Sequence, residues 1–208
     1  HWLAGSLLGQ DGRQDDRAAA ITELQSALEV PGVSPFVAAV IHVAIGHQTV
    51  LGGDLDAARA EFEEALRLAP DYIDAEVWLG DLAWIEGDSA AALAHYRKSD
   101  EGLAAYAARY ANDTAAAFAP ALQARLTLVA RKLGDVAGER AALAKADEQL
   151  AALRQEVPDW PLVGLAAGTV ELVRGDQGAA AAAFDRAVTC DQTLAGTREM
   201  VEKLVGAK

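Results

Sequence analysis

Few side chains in this sequence are spaced to do chemistry. His42 and His47 stand five residues apart. On a helix they point in different directions, whereas a shared metal wants a spacing of about three or four. His95 has no ligand-type partner near it in sequence. Asp15-Asp16 and the Glu61, Glu63, Glu64 group read as solvated faces rather than calcium sites. The phosphate-cradling G-x-x-x-x-G-K-[ST], the dinucleotide G-x-G-x-x-G, the zinc-binding H-E-x-x-H, a paired C-x-x-C and the nucleophile elbow G-x-S-x-G are all missing. The expectation is a protein without catalysis, metal or cofactor. Cys190 is the single cysteine, so no intrachain disulfide forms. Asn112-Asp113-Thr114 has the form of a glycosylation acceptor and equally of a turn that caps a helix, and the turn is the preferred reading. What remains is binding chemistry. Trp78, Trp84 and Arg125 are residue types that anchor protein contacts.

The elements that position these residues follow from a recurrence. Gly-Asp pairs stand at Gly53-Asp54, Gly87-Asp88, Gly134-Asp135 and Gly175-Asp176, the first two 34 residues apart. Glycine accepts the left-handed conformation that ends a helix, and aspartate takes bonds from the free amides that start the next. Downstream of three of the corners come small, large and small residues on one helical face: Ala58, Phe62 and Ala65; Ala92, Tyr96 and Ser99; Ala180, Phe184 and Ala187. After Gly134 the same places hold Glu139, Leu143 and Ala146. Upstream, Gly46, Gly80 and Gly168 recur in one phase, with Thr127 at the fourth place. Glycine inside a helix costs roughly 1 kcal/mol against alanine, so its recurrence predicts close helix contact. No alternating strand pattern is present.

The pattern resembles the tetratricopeptide repeat, a unit of two antiparallel helices about 34 residues long. The resemblance implies an all-α, right-handed superhelical stack of antiparallel helix pairs, four to five repeats with a C-terminal capping helix. It is read as one unit over 1–208, with repeats near 1–34, 39–72, 73–106, 120–153 and 161–194 and a terminal helix over 193–207. Residues 39–72 fit best, and 120–153 is degenerate. The first unit rests on Leu7, Ala20, Leu24 and Ala27, after a short helix over 1–10 that breaks at Gln10-Asp11-Gly12. Asp15 or Asp16 caps its second helix, and Ser34-Pro35 opens the next. Longer spacings after Gly87 and Gly134 predict a long helix from Val136 to Glu156, and either extended helices around 112–114 or a short extra helix over 103–110. Thr193 is read as the cap of the last helix, with Leu194, Val201, Leu204 and Val205 on one side. The competing reading of that helix is half of a further repeat.

By the same resemblance the first helix of each pair lines a concave groove. That puts Val43 and His47 of one unit, Trp78, Asp81 and Trp84 of the next, and Arg125, Leu128, Arg131 and Lys132 of a third on the groove wall. The expected ligand is an apolar or amphipathic peptide with an acidic group facing Arg125, Arg131 and Lys132. Some relatives hold a C-terminal carboxylate with a clamp of lysine, asparagine and arginine. Here Arg125 stands at one clamp place, but Val43, His47, Trp78 and Ala121 replace the others, so that ligand is not expected.

The implied function is a non-catalytic scaffold for a protein or peptide partner. The alternatives are a self-assembling homo-oligomer, an accessory domain of a larger enzyme or secretion machine, and a small-ligand protein. The net charge of −13 without a basic stretch disfavours nucleic acid and anionic membranes. No charge-free apolar run of 18 residues is read, hence no membrane span. The chain opens on His1 and has its only methionine at Met200. It reads as a product whose signal peptide, preceding domain or tag is gone. Compartment stays open, with cytoplasm placed ahead of periplasm or a lipid anchor.

Overall fold

The computed structural model describes residues 14–110 and 114–206, all helix, turn and loop. The helices are α1 (Gln14–Leu28), α2 (Pro35–Gly52), α3 (Leu55–Leu68), α4 (Ile73–Ile85), α5 (Ser89–Tyr110), α6 (Thr114–Leu133), α7 (Val136–Glu156), α8 (Pro161–Arg174), α9 (Gln177–Cys190) and α10 (Ala195–Gly206). Four antiparallel pairs pack tightly, α2 on α3, α4 on α5, α6 on α7 and α8 on α9, with α1 against α2. This is the expected stack. The helix expected at 1–10, Leu7, the break at 10–12 and the turn at Asn112-Asp113 lie outside the described residues, as does the Thr193 side chain. The capping expected of Asp15 or Asp16 also falls outside the described side chains.

The four Gly-Asp corners share one geometry. Gly53, Gly87, Gly134 and Gly175 have φ of 90°, 88°, 74° and 96°, a region that disfavours a Cβ. At each corner the aspartate amide donates back to a helical carbonyl, as in Asp54 to Thr49 and Asp176 to Glu171. The aspartate carboxylate then accepts an amide of the next helix: Ala57 on Asp54, Ala91 on Asp88, Gly138 on Asp135, Ala179 on Asp176, all within 3.0 Å. Each corner thus satisfies amides that a helix start would leave bare.

The helical glycines explain how each pair closes. A Cβ on Gly46 would lie 2.5 Å from the Phe62 ring, on Gly80 2.5 Å from Tyr96, and on Gly168 2.4 Å from Phe184. No side chain fits there, so the ring of one helix packs directly against the backbone of its partner. The third pair lacks this device. Thr127 is buried there and its hydroxyl donates to Gln123 O in its own helix, while Leu143 packs on the surrounding core. A second recurrent contact links the two helices of the first two of these pairs. His42 pairs with Glu61 at 2.7 Å, and one unit later Glu76 pairs with His95 at 2.8 Å, the same places with the partners exchanged.

The lengthened middle takes the first of the two expected routes. Residues 103–110 continue α5 rather than forming a separate helix, and α6 starts at Thr114. Pro120 falls inside α6, within its first turns. Helix α7 runs over Val136–Glu156, and Pro161 opens α8. One expectation is corrected. Residues 35–52 carry no Asp, Glu, Lys or Arg, and α2 is long and apolar enough to cross a bilayer. In this fold it is a core helix: Ala39, Ile41, Val43, Ile45, Val50 and Leu51 are buried. Flanked by α1 and α3, it has little face left for polar residues.

Candidate functional site

The first helices α4, α6 and α8 stand side by side and wall a cavity of about 230 Å³. Trp78 and Val77 come from α4, Phe118, Ala121 and Arg125 from α6, and Leu162, Leu165, Ala166 and Thr169 from α8. The remaining wall is the end of the chain: Leu194, Thr197, Met200 and Val201. Helix α10 therefore lies on this groove. It meets α8 and reaches across to α4, and Met200, Val201 and Leu204 are buried in the contact. Trp84 Nε1–H donates to Leu204 O at 2.9 Å, across 120 residues of sequence. Arg198 ties the outer side of α10 to α9, through Asp185 at 2.6 Å and over the Phe184 ring.

The predicted groove residues divide by what they touch. Trp78 is half-buried, stacked on Phe62 with ring centres 5.7 Å apart and tilted against His47 at 5.0 Å. Burial pulls His47 down to about 4, and its buried Nε2 meets no partner among the described residues. Val43 and Leu128 are buried core residues. Trp84 is buried under α10. Asp81 and Arg125, 1% and 7% exposed, face each other. The Asp81 carboxylate accepts Arg125 Nε at 2.7 Å and Nη2 at 2.8 Å, and the Tyr96 hydroxyl at 2.7 Å. Arg125 Nη1 donates to Ala121 O at 3.2 Å. Burial works to lower Arg125, but the Asp81 charge and hydrogen bonds outweigh it and hold it above its usual value. Burial first and Asp81 second push the Tyr96 hydroxyl well up.

Arg131 pairs with Glu139 at 2.8 Å and donates to Val173 O at 2.9 Å, which joins α6 to α7 and α8. Lys132 stands exposed. The structure thus brings Trp78 and Arg125 to one cavity, places Trp84 beside α10, and turns Asp81 and Arg131 to internal pairing. Sequence reasoning did not place α10 on the groove. The signal was the apolar set Met200, Val201 and Leu204, which needs a long-range wall to cover it. It also missed Phe118 as a cavity wall, whereas Leu165 stands on the groove-lining face that the repeat register gives to the first helix of its pair.

The profile of the tetratricopeptide repeat matches residues 51–72, from the end of α2 through α3 and its closing turn. The same corner and the same ring-on-glycine packing recur along the chain. Over residues 51–72 the chain is similar to a tetratricopeptide repeat. No curated protein matches it. Among solved structures it is similar to a mutant of MamA, at 18% identity over 91% of this chain and 95% of that one, with a TM-score of 0.43. It is also similar to YrrB, titled a TPR protein with an unusual peptide-binding site, at 19% identity over 86% of this chain and 79% of that one, TM-score 0.42. Among the described residues no three His, Cys, Asp or Glu side chains gather as a metal ion requires.

Proposed function

We propose that this tetratricopeptide protein is a non-catalytic scaffold whose groove, walled by α4, α6 and α8, holds a peptide segment of a partner protein. One observation carries the reading: the wall already receives a helix, with Leu204 covered and the Trp84 N–H bonded to its carbonyl. The chemistry of recognition is mainly apolar. Arg125 and Arg131 are matched by Asp81 and Glu139, so neither is a free cation for an acidic ligand. Aromatic walls such as Trp78 and Phe118 supply contact area with little side-chain entropy to lose.

The test is selection of helical peptides displayed on phage against the full chain. Enriched peptides should lose at least about tenfold in affinity for Leu165→Asp and Trp78→Ala variants that keep wild-type helicity, the loss expected at an anchor. Peptides that bind all three proteins equally would put the interaction on another face.

A further inference from the structure

Helix α10 fits its groove incompletely. Its Met200, Val201 and Leu204 are buried, yet about 230 Å³ stays open between Trp78, Phe118, Leu165 and the Thr197–Val201 turn. The space is a partly open groove lined mainly by apolar side chains, surface that a larger side chain would take from water. Its volume exceeds the roughly 150 Å³ that admits a benzene ring, so it has room for a phenylalanine or an indole. Towards it α10 presents only threonine, valine and the methionine. The attachment of α10 is also local and polar at its outer side. A single 3-10 turn, Gln192–Leu194, joins it to α9, and Glu199, Glu202 and Lys203 face solvent.

We infer that α10 is a latch on a site suited to another helix: an amphipathic helix of a partner, carrying one aromatic anchor for the Trp78–Phe118 cavity and a last-turn carbonyl for the Trp84 N–H. The inference rests on the groove reading above and adds the occupant and its competitor. The seated α10 shows the required chemistry, an apolar stripe with one backbone acceptor at its end. The open volume shows where the partner's side chain exceeds what α10 supplies. A partner must displace α10, so its apparent affinity falls by the fraction of molecules in which the latch is open.

The probe is a synthetic peptide of residues 192–206, made with and without Thr197→Phe. Each is titrated into the full chain and into its Leu204→Asp variant, with circular dichroism to verify the fold. The variant should bind the plain peptide at least about tenfold more tightly than wild type, because its own helix no longer competes. The phenylalanine peptide should bind on the order of tenfold more tightly than the plain one, because its ring takes that apolar surface from water. Equal affinity of the two chains overturns the latch while the groove reading stands. No gain from phenylalanine overturns the aromatic anchor. Failure of both peptides to bind a folded variant defeats the groove reading itself. Should Leu204→Asp not fold, hydrogen exchange of the wild-type chain decides. Amides of α10 exchanging about a hundredfold faster than those of α8 support a latch, and equal protection of the two overturns it.

Discussion

Replacing Asp81 by alanine tests whether the buried Asp81–Arg125–Tyr96 cluster holds the α4–α5 pair to the α6–α7 pair. Asp81 accepts two hydrogen bonds from Arg125 and one from Tyr96. Without it, Arg125 keeps only its bond to Ala121 O, and its charge stays 7% exposed with nothing opposite. An uncompensated buried charge costs about 3–5 kcal/mol, and the orphaned Tyr96 hydroxyl adds about 1–3 kcal/mol unless water reaches it. Domains of ordinary size unfold at a cost of about 5–15 kcal/mol, so the expected loss is a large share of the whole. Urea unfolding followed by helicity at low temperature measures it. The informative partner is the double variant Asp81→Leu with Arg125→Met. Removing both charges together should return at least about 2 kcal/mol relative to Asp81→Ala, because an apolar pair of similar volume is often neutral against a buried ion pair. A single variant that loses less than about 1 kcal/mol would mean that Arg125 has a second acceptor or reaches water, against the burial reasoning. A double variant no better than the single would mean that packing, not the lone charge, sets the loss.

Three further outcomes follow from the same contacts. Gly168→Ala drives a Cβ to 2.4 Å from the Phe184 ring and should cost about 1–3 kcal/mol of overpacking, while Gly178→Ala, whose Cβ meets only a carboxylate oxygen at 3.6 Å, should cost far less; equal melting temperatures for the two would refute the ring-on-backbone account. His47 is held neutral, with its folded value lowered from 6.5 to about 4. Its contribution is therefore fully present above pH 6.5 and declines as pH falls towards 4, because the unfolded chain takes the proton first. Asp74 runs the other way over part of the range, since burial raises it to about 6 against a bond from Tyr72. The stability difference between His47→Phe and wild type isolates the histidine and should grow by about 1.4 kcal/mol per pH unit between 6.5 and 4; a flat difference would show that His47 is hydrated. Trp84→Phe removes the donor to Leu204 O and should speed hydrogen exchange in α10 about fivefold, for a bond worth about 1 kcal/mol, with α8 unchanged.

The sequence by itself determined the repeat: four glycine-aspartate corners, the close helix contact at Gly46, Gly80 and Gly168, the long helix over Val136–Glu156 and its stop before Pro161. These are local events. A left-handed glycine, an aspartate cap and a 3.6-residue spacing act within one or two turns, so their chemistry is visible in a short window. The tertiary structure decided the rest. It matched Arg125 to Asp81, 44 residues away, and Trp84 to Leu204, 120 residues away. It also laid α10 on the groove and left the cavity beside Trp78. No periodicity encodes which buried charge meets which, or where an apolar stripe such as Met200, Val201 and Leu204 finds its cover, because both depend on the curvature summed over every pair in the stack.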